Sequence, residues 1–158
     1  MSKYHSHPRP EMAEYLPSNA ATILDVGCGD GSFSAGLKSN RELEVWGIEI
    51  DELAAAEAVN KLDRVLVGDA IALVNELPDN HFDCIYCNDI LEHLIDPEKL
   101  LEILKSKLKS DGRLVASIPN VRYFWNIVDL VFYGKWNYTD EGILDRTHLR
   151  FFTKKSMQ

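Results

Sequence analysis

At 158 residues the chain is long enough for one domain with a proper buried core. Hydrophobic residues make up 46% and charged residues 27%, the balance of an ordinary globular protein. The net charge of −8 argues against a nucleic-acid partner, because tight binding there draws on Lys and Arg meeting phosphates. Lys105, Lys107 and Lys109 come closest to a basic patch. The sequence places them at a helix C-terminus, where cations favour the dipole.

The chain opens on the polar run MSKYHSHPRP, in which His5 and His7 read as solvated side chains. No stretch approaches the roughly 20 apolar residues needed to span a bilayer, and no secretory signal is present. Arg9-Pro10-Glu11-Met12 reads as the start of a short helix. Strand-like and helix-like stretches then alternate. The strands are TILDV from Thr22, LEVWGIEI from Leu43, RVLVGD from Arg64, FDCIYCND from Phe82 and GRLVASIP from Gly112. Most are near-continuous apolar runs, as expected of strands covered on both faces. Asp51 caps the alanine-rich helix DELAAAEAVN, and Asp96-Pro97 opens another that Ser110-Asp111-Gly112 ends. Its residues Leu100, Leu101, Leu104 and Leu108 recur at helical spacing. Such alternation predicts an α/β fold with a parallel sheet and helices on both faces. Its ligand site belongs at the carboxyl ends of the strands.

Three cysteines, an odd count, fit a reducing cytoplasm better than a disulfide framework. Cys84 and Cys87 spell C-x-x-C, but on a strand residues three apart face opposite ways, so the pair neither chelates nor bridges. After Pro119 the pattern weakens into an aromatic helix and a long loop. Tyr123, Trp125, Tyr133, Trp136 and Tyr138 fit core packing better than a binding platform.

The chemistry sits at the strand ends. The first strand runs into D-V-G-C-G-D-G, with Gly27, Gly29 and Gly31 alternating. Asp25 lies beside this loop, where it would repel a pyrophosphate and attract a ligand carrying an ammonium and a sulfonium. The third glycine of the dinucleotide fingerprint is absent, since Ser32 stands there. Both features disfavour a nicotinamide dehydrogenase. Glu49 ends the second strand, placed to accept from both hydroxyls of a ribose, and Asp69 ends the third, placed to accept from an adenine amine. Helix capping would explain any one of the three carboxylates, but explains all three poorly.

Around ILDVGCGDGSF the chain resembles the class I S-adenosylmethionine-dependent methyltransferases, over roughly residues 21–119. The resemblance implies a Rossmann-like, doubly wound parallel sheet in order 3-2-1-4-5, with S-adenosylmethionine as cofactor and S-adenosylhomocysteine as product. It places Asp25, Gly27, Cys28 and Gly29 along the methionine and ribose, Glu49 on the ribose, and Ile50 against the adenine. Asp69 and Ala70 would meet the adenine edge, Asn88 would offer its backbone near the methionine amine, and Arg9 would face the cofactor carboxylate. The tail DRTHLRFFTKKSM is similar to small-molecule and sugar methyltransferases found with bacterial cell-surface glycan genes. Family members carry seven strands, the last two a hairpin. Five are legible here, so a single domain over residues 1–158 is expected, truncated at its C-terminus, with an acceptor or lid region at 120–158. An unpaired fifth-strand edge would then favour self-association.

The implied reaction is methyl transfer to a hydroxyl or amine of a small molecule or sugar. The alternative is a cofactor-binding or assembly module inactive by itself. On the acceptor side, Asp89, Glu92 and His93 follow the fourth strand. His93 is a candidate general base, and His148 a second catalytic candidate. A structural or substrate-orienting role for Glu92 and His93 stands beside this. A third reading makes Asp89, Glu92 and His93, with His148 completing the set, ligands of a divalent cation, as in a related group of RNA-end methyltransferases.

Overall fold

The computed structural model describes residues 9–39 and 41–157. The reading of His5 and His7 as solvated lies outside the described residues. The chain divides into two compact units, Met1–Asn88 with Glu98–Ser117, and Asp89–Pro97 with Ile118–Gln158.

The first unit holds five strands: β1 (Thr22–Val26), β2 (Glu44–Glu49), β3 (Arg64–Val67), β4 (Phe82–Asn88) and β5 (Leu108–Ser117). They pair in parallel in the order β3-β2-β1-β4-β5. This is the Rossmann-like α/β arrangement expected from the sequence. Register explains the unbroken apolar runs. Ile23 lies beside Val45 and Cys84, and Tyr86 beside Val115, so these residues share one face. They join a buried cluster with Met12, Phe33, Leu37, Ala58 and Leu62. The alternate positions Leu24, Val26, Trp46, Ile48, Ile85 and Cys87 face the other way and are buried too.

The crossovers carry α1 (Pro10–Ala13) before the sheet, then α2 (Ser32–Lys38), α3 (Glu52–Ala58), α4 (Ala70–Leu73) and α5 (Pro97–Lys107). Asp51 caps α3 as expected, its Oδ1 accepting from the amides of Leu53 and Ala54 at 2.9 Å. Leu100 and Leu104 are fully buried along α5.

The α5–β5 junction differs from expectation. The helix stops at Lys107 and pairing starts at once, with Leu108 beside Phe82. The next partners are Arg113 and Cys84, so the intervening residues bulge. A Cβ on Gly112 would come within 2.9 Å of the Phe82 carbonyl oxygen, which explains the glycine in the bulge. Lys109 is therefore a strand residue, and it pairs with Asp83 at 2.8 Å instead of meeting a helix terminus. Lys107, nearly buried, reaches the Leu77 carbonyl at 2.9 Å and Asp79 at 2.6 Å.

Asp83 ties the amino ends of the sheet together. Its carboxylate accepts from the amides of Ala21 and Thr22, from the Thr22 hydroxyl and from Lys109. Burial alone would raise its pKa, but the Lys109 bond and the two amides outweigh it and hold the carboxyl well below the usual range.

The second unit contains a 3-10 turn at Leu91–His93, α6 (Phe124–Tyr133), a loop closed by isolated bridges, Asn120 with Phe152 and Thr139 with Asp145, and a second 3-10 turn at Lys154–Met157. The expectation that the aromatic stretch forms core is overturned. No residue of α6 is buried, and Phe124 and Phe132 are 64% and 76% exposed. Asn126 and Asp129 share one side of the helix, and its apolar side chains spread around the rest, too wide an arc for one contact face to cover. Trp136 does find a partner in Phe151, ring centroids 5.6 Å apart. Among the described residues no helix is long and apolar enough to cross a membrane.

Replacing Asp83 by Ala should cost about 2–4 kcal/mol in denaturant unfolding, since it strands two amides and a part-buried lysine. Because the folded pKa is depressed, wild type should lose this advantage as pH falls below the ordinary Asp value of 3.8. Equal stability of the two proteins at pH 7 would dismiss the anchor.

Candidate active site

The carboxyl end of β1 runs straight into the glycine loop. Gly27, Gly29 and Gly31 all take left-handed backbone angles, φ 75°, 55° and 76°. Side chains with a Cβ rarely adopt these angles, which explains the alternating glycines. The loop is bound to β2, with the amides of Gly27 and Cys28 donating to the Ile48 carbonyl at 2.8 and 3.0 Å. Cys28 packs over Gly47, where a Cβ would sit 2.6 Å from its sulfur. Its side chain is therefore core, and only its backbone is left to line a ligand.

Glu49 holds the other side. Its Oε2 accepts from Gly29 N at 2.8 Å, and Oε1 accepts from Ile50 N and Asp51 N, both at 2.9 Å. A carboxylate offers about four acceptor positions, so these three amides leave room for one more donor and not for two. The sequence missed this role. Ile50 beside it is 70% exposed, whereas Ala70 is buried. Asp69 is exposed and caps α4 through Ala72 N at 2.9 Å. Capping thus does account for one of the three carboxylates.

Asp25 is 2% exposed and accepts a 2.7 Å bond from the Ser34 hydroxyl. Burial pushes its pKa up to about 6, and the nearby Glu49 charge adds to this, against the Ser34 bond and Arg9. Arg9 itself donates to the Ser117 hydroxyl at 2.9 Å. At the end of β4 the Asn88 carboxamide is buried, and among the described residues neither its nitrogen nor its oxygen has a hydrogen-bond partner. The sequence reading had considered only the backbone of Asn88.

Ser32, standing where a third glycine was absent, donates through its amide and hydroxyl to Asp30. Lys61 pairs with the same carboxylate at 2.9 Å. Burial opposes ionisation of Asp30, but these bonds prevail and its pKa is lowered. The D-x-S spacing was the available signal for this turn. All three cysteines are free and buried, and burial pushes their thiols up, Cys84 to about 12. They remain protonated, which for Cys84 and Cys87 agrees with their place on a strand.

In the second unit the structure regroups the acceptor-side candidates. Glu92 and His93 stand on the 3-10 turn, whereas Asp89 precedes it with φ 50°, so the three do not share a helical turn. Glu92 and His93 come together with His148 instead, ring centroids of the two imidazoles 4.8 Å apart. The amides of Leu149 and Arg150 donate to the Glu92 carbonyl at 2.8 and 3.0 Å, fixing the turn against the RTHLR segment. Arg150 also donates to the Ile95 carbonyl. Burial, then the neighbouring His148, lowers the His93 pKa against the opposing pull of Thr147 and Asp145, keeping it neutral at pH 7.

Comparison with known proteins agrees with this architecture. A crystal structure of an S-adenosylmethionine-dependent methyltransferase from Archaeoglobus fulgidus superposes with a TM-score of 0.72 at 26% identity, covering 93% of this chain and 62% of that one. The family model described as "Methyltransferase domain" matches residues 1–158. The chain belongs to this methyltransferase family. Ribosomal protein L11 methyltransferase of Burkholderia mallei is 32% identical over 117 residues, 71% of this chain and 38% of that protein. Phosphoethanolamine N-methyltransferase 2 of Haemonchus contortus, solved with S-adenosyl-L-methionine, shares the fold at a TM-score of 0.61 and 23% identity, over 67% of this chain and 26% of that one. The methyltransferase domain spans about a quarter to two fifths of the curated relatives it matches (24% to 38%).

The folded domain holds the Asp25 proton more tightly than an unfolded chain titrating near 3.8, so this group adds stability as pH falls from about 6 toward 3.8. Asp25→Asn should raise stability at pH 7 by roughly 1–3 kcal/mol and erase that pH dependence. Chemical unfolding at pH 7 and pH 5 checks both, and a variant less stable than wild type at pH 7 would refute the buried-charge reading.

Proposed function

We propose that the first unit binds S-adenosylmethionine along the glycine loop, and that the protein transfers its methyl group to a hydroxyl or amine of a small molecule or sugar. The observation that carries this is the ionisable carboxylate of Asp25, kept buried beside a loop of left-handed glycines. A pyrophosphate would be repelled there, while a ligand with an ammonium and a sulfonium gains from the charge. The donor set fits that ligand. Asp25, mostly ionised at pH 7, supplies negative charge. Glu49 retains one acceptor position for a ribose hydroxyl. Ile50 offers exposed apolar surface for an adenine, and Asp69 keeps acceptor capacity beyond its cap. The Asn88 carboxamide has both a donor and an acceptor unmet, and burial without a partner is costly until a ligand answers it.

The bound cofactor supplies an activated methyl on its sulfonium. The chain's residues supply alignment and exclusion of water, which for a pre-activated group account for most of the catalysis. The acceptor class rests on the similarity of the DRTHLRFFTKKSM tail. The relatives named above act on a ribosomal protein and on phosphoethanolamine, so protein and small-molecule acceptors both belong in the screen.

Calorimetry should show binding of S-adenosylmethionine and S-adenosylhomocysteine that NAD does not compete away. Asn88→Ala should weaken binding about 2–10-fold while leaving the free protein no less stable, because it removes a polar group without a partner. Glu49→Gln should weaken binding and also lower stability by about 2 kcal/mol or more, since a carboxamide nitrogen cannot accept the amides. Unchanged affinity in both variants would remove this edge of the sheet from the cofactor site.

A further inference from the structure

We propose that Glu92, His93 and His148 form a binding site for a divalent transition-metal ion within the second unit. One ligand atom from each of the three lies within 4.8 Å of the other two. Glu92 is 1% and His148 6% exposed, and His93 is half-buried. Of the four residues the sequence suggested, Asp89 falls outside the set, and Glu92, His93 and His148 remain in it. It rests on side chains of the second unit alone and does not depend on methyl transfer.

The decisive feature is how the rings are held. His148 Nδ1 lies 3.0 Å from the Ile143 carbonyl oxygen, and a carbonyl can only accept, so Nδ1 carries the hydrogen. In a neutral imidazole the lone pair is then on Nε2. His93 Nδ1 lies 3.3 Å from the Thr147 carbonyl and 3.2 Å from the Thr147 hydroxyl. That hydroxyl donates to Asp145 at 2.6 Å, so it too must accept from the ring. Both histidines are thereby set in the tautomer that presents Nε2 as a ligand. Bonds from the second ring nitrogen to backbone carbonyls are the usual way metal-binding imidazoles are oriented. Asp145 completes the chain from the loop: its carboxylate also takes the Thr147 amide at 2.7 Å, and burial notwithstanding it stays ionised.

Two imidazoles and one carboxylate suit Zn²⁺, Co²⁺, Mn²⁺ or Fe²⁺, whereas Ca²⁺ and Mg²⁺ prefer oxygen donors alone. With bonds of about 2.0–2.2 Å, neighbouring donors would stand about 3.4 Å apart, so a pair at the 4.8 Å limit has to close by about 1.4 Å. Three protein ligands leave a position open for an oxygen of a second molecule, the arrangement of a catalytic rather than a closed structural site. An imidazole that binds a metal through Nε2 has no lone pair left for a proton. In this reading His93 and His148 are ligands and not general bases.

Co²⁺ is the probe of choice, because its visible bands separate a low-coordinate nitrogen–oxygen site from the hexaaquo ion. The full chain, stripped by chelator and dialysed, should take up one Co²⁺ with intensified visible absorption, and Zn²⁺ should displace it. Glu92→Gln and His148→Ala should each weaken uptake at least about a hundredfold. Exposed Thr147→Ala, which leaves the ligands in place, should weaken it about tenfold. His5→Ala/His7→Ala should bind as wild type does. Circular dichroism establishes that each variant is folded, and Thr147→Ala carries the test if a buried substitution does not fold. Absence of the bands in wild type, or uptake that survives Glu92→Gln and disappears with the His5 and His7 replacements, would overturn the proposal.

Discussion

The carboxylate of Glu49 is the interaction on which the first unit's ligand edge depends. It collects three backbone amides, one from the glycine loop after β1 and two from the turn that starts α3. Charge-assisted bonds of this kind offset the desolvation of a buried carboxylate. That anchor adds a side-chain bond at Gly29 to the Gly27 and Cys28 amides that already hold the loop to β2 through the Ile48 carbonyl. The same charge also acts on Asp25, adding to the burial that chiefly raises its pKa.

The two ends of the sheet use carboxylates in opposite ways. At the amino end Asp83 is surrounded by donors and its ionised form strengthens the fold. At the carboxyl end Asp25 accepts one side-chain hydroxyl bond among the described residues, from Ser34, and its ionised form weakens the fold. Sites are where proteins tolerate groups that the fold alone would not choose. The Asn88 carboxamide, buried with its hydrogen-bonding groups unmet, belongs to the same pattern.

The second unit is organised by backbone bonds to the 3-10 turn and by the Asp145–Thr147 pair, not by an apolar core. Leu149 and Arg150 donate to the Glu92 carbonyl, and Thr147 meets the His93 ring. A short loop thus orients two imidazoles. Helix α6, apolar except for Asn126 and Asp129, has no buried residue.

The sequence by itself determined the sheet. Unbroken apolar strands alternating with capped helices admit few topologies once crossovers must be right-handed, and TILDV followed by alternating glycines located the left-handed loop after β1. The acids at Asp25, Glu49 and Asp69 are also visible as letters. What each acid does was decided by tertiary structure. Burial of Asp25 and the Gly29 amide on Glu49 are contacts between neighbouring strands, whereas the Asp69 cap and the Ile50 and Asp51 amides are local, and letters do not show which donors arrive. The β5 bulge escaped for a similar reason: Gly112 reads as a helix stop until the Phe82 carbonyl is seen where its Cβ would be. Likewise Asp89 is nearest to Glu92 and His93 in sequence, yet φ 50° at Asp89 and a fold-back of more than fifty residues bring His148 to them instead. Local pattern fixes an element and its faces, while partners distant in the chain are fixed only when the backbone closes.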